Sequence, residues 1–241
     1  MAMSRAAFLT ATIAALAFAL PAIAAPPSAT APRPKASMQG APKPPASVGG
    51  SSIFKPGAAT ALDGDRRALV SRLSAYLSSV QTMVGDFVQV GPDGQRTRGQ
   101  FYIQKPGRVR FEYQPPSPID IVADGESVAV RDRKLATQDV YPLSQTPLRF
   151  LLKQRIDLLR DTNIVGVYSD DTFATVVIEE NHPLVGTNRL MMMFDAKDLQ
   201  LKQWIVTDPQ GYDTTVAVYN LDTTKRPDPS MFRINYERVL Q

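Results

Sequence analysis

Few residues in this chain have the type and spacing that catalysis requires. The 241 residues include no cysteine and a single histidine, His182. Cysteine nucleophiles are therefore excluded, and a Ser–His–Asp arrangement would have to use His182. This histidine precedes Pro183 between two predicted strands, and the sequence contains no Gly-x-Ser-x-Gly elbow. We interpret His182 as a turn residue.

Metal and phosphate sites are not indicated either. Zinc sites need clusters of Cys and His, and a calcium loop needs alternating acids with a closing Glu, which the run 63–65 lacks. No Gly-rich phosphate loop is present. Paired carboxylates could meet in space, as in a glycosidase, but the acids cluster at predicted turns, whose geometry they favour. We predict no catalytic residue, metal or cofactor, and a hydrolase is the less favoured alternative.

The N-terminus has the order of a secretory signal peptide. Arg5 precedes an uncharged run at residues 6–20, and Ala22-Ile23-Ala24 forms a small-residue cleavage site. The run is shorter than the roughly 20 residues that a membrane-spanning helix needs. We predict a signal peptide at residues 1–24 and export of the chain.

Residues 25–60 are predicted to form a disordered linker, because eight prolines stand among Ala, Ser and Gly in residues 25–57. Five of the 27 basic residues and none of the 23 acidic ones lie in residues 1–60, which leaves 22 basic and 23 acidic side chains in residues 61–241. The basic character thus belongs to the N-terminal quarter. A nearly neutral domain argues against nucleic acid as a partner.

Residues 61–241 are predicted to form one mainly β domain. Apolar residues recur at helical spacing from Leu69 to Val80, behind Asp63 or Asp65 as the N-cap. A second helical patch covers residues 148–159. Between and after these patches the period is two, and Pro, Gly and Asp separate short segments. The predicted strands are 84–90, 96–104, 108–113, 119–123, 127–131, 137–141, 164–169, 173–180, 190–195, 199–207 and 212–220.

One face of the predicted sheet is apolar. Phe101 and Ile103 share a face, and Val109, Phe111 and Tyr113 lie opposite charged neighbours. A sheet of ten or eleven antiparallel strands curls as its strands twist, and the helices must then cover its concave side. We predict an incomplete antiparallel β-barrel with a helical lid over an apolar cavity.

The segment 190–194 is apolar on both faces and contains three consecutive methionines, Met191 to Met193. Methionine suits surfaces that accept variable apolar shapes, but it also fills gaps in a core. The second interpretation is the simpler one, and both stay open.

The run from Gly99 to Tyr113, with its Lys105-Pro106-Gly107 turn, resembles the signature stretch of the outer-membrane lipoprotein carrier family, LolA. Residues 85–89 are similar to the family's Phe-x-Gln segment, residues 115–125 to its Pro-rich break and Asp-Gly hairpin, and residues 147–152 to its mid-chain helix. The resemblance spans residues 62–241.

This resemblance implies a periplasmic carrier that shelters the acyl chains of lipoproteins. Its partners would be an inner-membrane exporter complex and an outer-membrane receiver, and a monomer is expected. The implied acyl-binding residues are Phe87, Phe101, Ile103, Val109, Phe111, Tyr113, Met192 and Trp204. The implied lid and latch residues are Lys105, Arg108, Leu73, Leu77, Leu148, Leu151 and Leu152.

The latch position differs from the better-known members, which carry Arg before the proline and bond the lid with it. Lys105 lacks the planar fork of arginine. It acts alone, shares the latch role with Arg108, or is a plain turn residue.

Other functions of the same fold stay open. A periplasmic sensor or chaperone would bind lipid or lipoprotein in order to control a partner. A receiver of this fold would itself be lipidated, and the missing cysteine excludes that version.

Overall fold

The first described element is an amphipathic helix. The computed structural model describes residues 62–182 and 186–236, so the predicted signal peptide and linker lie outside the described residues. Helix α1 spans Gly64–Ser79, and Asp63 is its N-cap, because the Asp63 carboxylate accepts a hydrogen bond from the Arg66 backbone N–H at 2.9 Å. Of the two candidate acids, Asp63 is therefore the cap.

Eleven strands follow the predicted order, with boundaries that differ by a few residues at their ends. They are β1 Thr82–Val90, β2 Arg96–Gln104, β3 Arg108–Tyr113, β4 Ile119–Asp124, β5 Ser127–Asp132, β6 Thr137–Pro142, β7 Asn163–Ser169, β8 Phe173–His182, β9 Gly186–Asp195, β10 Leu201–Thr207 and β11 Asp213–Asp222.

The largest difference from the predicted boundaries is at the β8–β9 hairpin. Strand pairing continues to His182, which lies opposite Gly186. The prediction that His182 is a turn residue is therefore wrong, since it is the last residue of β8.

All strands form one open antiparallel sheet in the order β6-β5-β4-β3-β2-β1-β11-β10-β9-β8-β7. The sheet curls strongly. Three strands separate β3 from β10, which would place the two about 19 Å apart in a flat sheet. The ring centroids of Phe111 in β3 and Trp204 in β10 are nevertheless 6.4 Å apart. The predicted fold class, a mainly β sheet of ten or eleven antiparallel strands with few helices, is confirmed.

The predicted mid-chain helical patch is two short helices between β6 and β7. A 3-10 turn at Leu143–Gln145 leads to α2, Leu148–Leu152, and α3 follows at Leu158–Asp161. The helix is interrupted before Asp157, whose carboxylate caps α3 by accepting from the Leu159 backbone N–H at 3.1 Å. Within the described residues, no helix has the length and hydropathy to cross a bilayer.

Helix α2 connects strands that are distant in the sheet. Arg149 forms an ion pair with Glu180 of β8, whereas the Leu152 carbonyl accepts a hydrogen bond from the backbone N–H of Gly107, at the turn between β2 and β3, at 2.9 Å. Five strands lie between β3 and β8. Only a sheet that curls around α2 brings both contacts within reach of one five-residue helix.

The opposite, convex face carries a second, smaller contact with the C-terminal segment. Arg110 donates to the Met231 carbonyl at 3.1 Å, and it pairs with Asp120 at 3.2 Å. A 3-10 turn at Pro229–Phe232 buries Phe232 to 2% exposure, and the Tyr236 hydroxyl donates to the Asp124 carboxylate at 2.7 Å. This segment therefore braces the convex side of β3 and β4.

Gly99 permits a close approach inside the curled sheet. A Cβ atom at this position would lie 2.0 Å from the Glu112 carbonyl oxygen and 2.8 Å from the Phe87 ring. Such a clash with backbone forces the strands apart. We expect Gly99→Ala to lower the free energy of unfolding by about 1–3 kcal/mol, as measured by urea denaturation.

Gly64→Ala is the matched control, because nothing lies within 4 Å of a Cβ there. It should leave stability unchanged or raise it by a few tenths of a kcal/mol. Equal denaturation midpoints for the two variants would contradict the packing at Gly99.

Candidate functional site

The concave face of β1 to β3 is a continuous aromatic surface. Alternation along each strand points Phe87, Phe101 and Phe111 to the same side. Phe87 meets Phe111 edge to face at 5.3 Å between ring centroids, and it meets Tyr113 in the same way at 5.0 Å. Phe101 stacks on Phe111 at 6.0 Å. These rings form one layer because Gly99 leaves space for Phe87.

The other half of the sheet completes this layer. Met192 and Trp204 are cross-strand neighbours in β9 and β10, and Trp204 reaches Phe111 across the curl. The eight predicted acyl-binding residues all lie on this side and are at most 7% exposed: Phe87, Phe101, Ile103, Val109, Phe111, Tyr113, Met192 and Trp204. The structure therefore brings them together in one buried cluster. Their contact with an acyl chain stays a prediction.

The three consecutive methionines divide between the two faces. Met192 is fully buried on the concave side. Met191 and Met193 point to the convex side and are partly exposed. Only Met192 thus belongs to the concave cluster.

The helices cover this surface with their apolar sides. The five predicted lid leucines belong to the same hydrophobic cluster as the concave face: Leu73, Leu77, Leu148, Leu151 and Leu152. Tyr76 of α1 also packs edge to face on Phe194 of β9, with ring centroids 6.2 Å apart. In this structure the helices pack on the concave face, and their leucines share one hydrophobic cluster with it.

Two serines of α1 join the helical cover into one unit. The Ser74 hydroxyl accepts from the Leu158 backbone N–H at 3.1 Å, and the Ser78 hydroxyl accepts from the Ile156 backbone N–H at 3.0 Å. The sequence analysis did not identify these two residues. Their signal was available, since both are small polar residues four positions apart beside the apolar side of an amphipathic helix.

The turn between β2 and β3 bonds the helices α1 and α2. Lys105 donates from Nζ to the Leu77 carbonyl at the end of α1 at 2.5 Å, and the backbone N–H of Gly107 donates to the Leu152 carbonyl at the end of α2 at 2.9 Å. Gly107 has a φ of +74°, and a Cβ there would lie 2.7 Å from Gly125 Cα, so the turn needs glycine. Both contacts use carbonyls at a helix C-terminus, which lack a partner within the helix.

Arg108 is placed differently. Its guanidinium is exposed and donates to the Gln104 side chain at 3.3 Å. The structure thus puts Lys105 against α1 and Arg108 against Gln104 of the neighbouring strand β2. A latch role for either residue stays a prediction.

A family model described as outer membrane lipoprotein carrier protein LolA matches residues 78–235, more than half of the chain. The chain belongs to the LolA family. LolA proteins are periplasmic, and the family is one of transport proteins without enzymatic activity. The matched residues contain the whole sheet, α2 and α3, and the Lys105 turn.

Curated LolA relatives agree with this assignment. An outer-membrane lipoprotein carrier protein of Chromohalobacter salexigens is 28% identical over 67% of this chain and 80% of its own length. Another, of Methylobacillus flagellatus, is 27% identical over 63% of this chain and 77% of its own length.

Solved structures with similar folds are more distant. A LolA superfamily protein of Nitrosomonas europaea aligns with a TM-score of 0.39 at 10% identity, over 69% of this chain and 98% of its own. The structure of MucB aligns with a TM-score of 0.40 at 14% identity, over 70% of this chain and 64% of its own. Because both TM-scores are below 0.5, the family assignment depends on the sequence matches.

Lys105 has an unusual pKa for a lysine. Burial lowers its pKa to about 8 from the ordinary value of 10.5. It lies at the C-terminal end of α1, where the helix dipole favours a positive charge. Its ammonium can donate three hydrogen bonds, of which the Leu77 carbonyl takes one. The turn therefore holds a partly desolvated charge under the lid.

A buried polar pair lies within the aromatic layer. The Tyr113 hydroxyl donates to Gln89 Oε1 at 2.6 Å, and burial raises the pKa of Tyr113. Gln89 is the glutamine of the Phe-x-Gln segment. The bond satisfies the Tyr113 hydroxyl proton and the Gln89 amide oxygen. The hydroxyl of Thr97, the cross-strand partner of Gln89, is buried without a hydrogen-bond partner.

Two open pockets formed by described residues lie at the surface. One, of about 710 Å³, lies beside Lys105 at the end of α1; the other, of about 420 Å³, lies between Arg108 and the C-terminal segment. Neither is lined by any of the eight predicted acyl-binding residues. Among residues 62–182 and 186–236, no group of three or more His, Asp or Glu is placed to hold a metal ion.

The depressed pKa of Lys105 gives a testable pH dependence. The folded chain releases this proton near pH 8, whereas the unfolded chain keeps it to about 10.5. Between these values the unfolded chain binds more protons, so the free energy of unfolding rises with pH. We expect the stability of the wild type relative to Lys105→Met to increase from about pH 7 to about pH 10 in urea denaturation.

The difference between the two proteins removes the contribution of tyrosines and other groups that titrate in both. A difference that stays constant across this pH range would show that Lys105 titrates as an exposed lysine.

Proposed function

We propose that this LolA-family protein is a periplasmic carrier that binds the acyl chains of lipoproteins on its concave face. The observation that carries the proposal is the joining of the whole aromatic layer to the lid helices in one hydrophobic cluster. The helices α1, α2 and α3 cover the surface, and α1 and α2 are each joined to the β2–β3 turn by one hydrogen bond to a helix-end carbonyl. A cover of this kind can be displaced without unfolding the sheet.

The energetics of such a cover suit reversible binding. Each buried methylene contributes about 0.8 kcal/mol, so even a part of one acyl chain offsets the loss of several lid contacts. When the lid opens, its leucines and the concave face are exposed to water until lipid replaces the lid. This opening cost lowers the net affinity. The carrier can therefore bind a lipid in water and still release it to a stronger acceptor.

The transport cycle follows from this exchange. An inner-membrane exporter complex would supply the acylated protein, the lid would open, and the chains would lie against Phe87, Phe111 and Trp204. An outer-membrane receiver would accept them, and the lid would close on its own cluster. Lys105 and Gly107 would reform their bonds to α1 and α2 at this step. No cofactor is needed.

Native mass spectrometry of the protein purified from the periplasm tests the cargo directly. Co-purified lipoprotein or acyl lipid supports the carrier. Lipid-free protein from cells that produce abundant lipoprotein would contradict the carrier function. Lipid binding that only changes the activity of a partner protein would favour the alternative function of a periplasmic sensor.

The single tryptophan provides a second test. Trp204 is the one tryptophan of the chain and is 2% exposed on the concave face. Bromine quenches indole fluorescence only at close contact. We expect a triacylated lipopeptide with brominated acyl chains to quench Trp204, and the same lipopeptide without bromine to leave its intensity higher. Equal emission with both lipids would place the chains elsewhere.

A charge on the concave face should prevent loading. Val109 is 0% exposed in the cluster, and a carboxylate beside bound lipid would lack a partner. We expect Val109→Glu, or Phe111→Glu, to abolish quenching by the brominated lipopeptide. Arg98→Glu in the adjacent strand β2 is the control, because Arg98 is exposed on the convex side. Normal loading of the folded Val109 variant would refute the assigned face.

A further inference from the structure

The pocket beside Lys105 has a polar rim and an apolar floor. Its floor includes Tyr76, Val80 and Leu221. Val80 belongs to the hydrophobic cluster that fills the concave face, and Tyr76 and Leu221 pack against that cluster. The pocket thus opens to solvent on one side and adjoins the predicted acyl site on the other. Its volume of about 710 Å³ is in the range of ligand pockets.

Three rim side chains are available to a ligand. Gln200, Thr223 and Arg226 line the pocket and are exposed. Within the part of the chain that the structure describes, none of the three side chains makes a hydrogen bond or an ion pair. Gln200 follows the turn after β9, whereas Thr223 and Arg226 follow β11. Side chains from two separate loops therefore line the same pocket.

Most rim groups are uncharged hydrogen-bonding side chains. Amides and hydroxyls both donate and accept, which matches the alternating N–H and C=O groups of an extended peptide. The charged members of the lining are Lys105, Arg226 and Asp198, so the two cations face one acid. This balance is a weaker match for a phosphate headgroup, which concentrated cations would recognise.

We propose that this pocket binds the polypeptide segment that follows the acylated residue of the cargo. The inference rests on the proposed carrier function and adds a subsite to it: the acyl chains lie under the lid, and the first peptide groups lie at the rim. Lys105 stands at the junction, because this residue lines the pocket and its ammonium donates to the Leu77 carbonyl at the end of α1. A bound peptide carbonyl can accept from one of the two donors that Leu77 leaves free, which places the peptide beside the residue that bonds the end of α1.

Binding of two matched lipids to the full chain tests this subsite. Both carry the same brominated triacylated cysteine; one ends in a methyl amide, and the other continues as a neutral Ser-Asn-Ala peptide. Quenching of Trp204 gives the dissociation constant of each. We expect the extended lipid to bind about tenfold more tightly, as two or three added hydrogen bonds would provide.

The double variant Gln200→Ala/Thr223→Ala should reduce this preference to about twofold or less and leave the affinity for the capped lipid unchanged. Gln210→Ala is the matched control. Gln210 is also an exposed glutamine at a hairpin turn, but it follows β10, at the opposite end of the strand from Gln200. It should keep the full preference.

The possible failures are distinct. If neither lipid quenches Trp204, the carrier function fails. If both lipids bind equally, or if the double variant keeps the full preference, the peptide subsite is overturned while the carrier function stands. If brominated phosphatidylglycerol binds and Arg226→Gln weakens it about tenfold, with no preference between the two lipopeptides, the pocket recognises an anionic headgroup and the inference is wrong.

Discussion

An apolar face that spans eleven strands needs a cover, and a single sheet cannot provide one for itself. The curl brings Phe111 and Trp204 into contact across three intervening strands. The concave side of the sheet is therefore narrow enough for five helical leucines to cover it. A flat sheet of the same residues would expose a hydrophobic patch far larger than soluble proteins tolerate. The positions of α1, α2 and the β2–β3 turn all depend on this requirement.

The cover is attached to the sheet by apolar packing and by a few polar contacts, which include the ion pair of Arg149 with Glu180 and two hydrogen bonds from the β2–β3 turn. Leu77 and Leu152 end their helices, and their carbonyls accept from the Lys105 turn instead of from a following helical turn. Ser74 and Ser78 join α1 to the segment before and within α3. Two backbone N–H groups of the α3 segment thus hold it to α1 in addition to the apolar contacts of the shared cluster.

Much of this arrangement could be predicted from local patterns. The period of two located every strand within a few residues, and the two candidate caps, Asp63 and Asp65, located the start of α1 within two residues, because these signals act between near neighbours. Contacts between distant residues escaped prediction. Nothing local shows that Arg149 meets Glu180, or that Ser74 meets Leu158, since both depend on the curl. The end of β8 at His182 was also missed, because Asn and Pro suggest a turn, whereas cross-strand pairing extends the hairpin.

The C-terminal segment gives the sheet unequal mechanical support. Arg110, Phe232 and Tyr236 hold this segment against the convex side of β3 and β4, so these strands are backed on one side and covered on the other. Within the described residues, β8 to β10 have no such backing, and Met191 and Met193 remain partly exposed there. We therefore expect β8 to β10 to move more than β3 and β4 in thermal fluctuations of the sheet, because the C-terminal segment holds β3 and β4 in place.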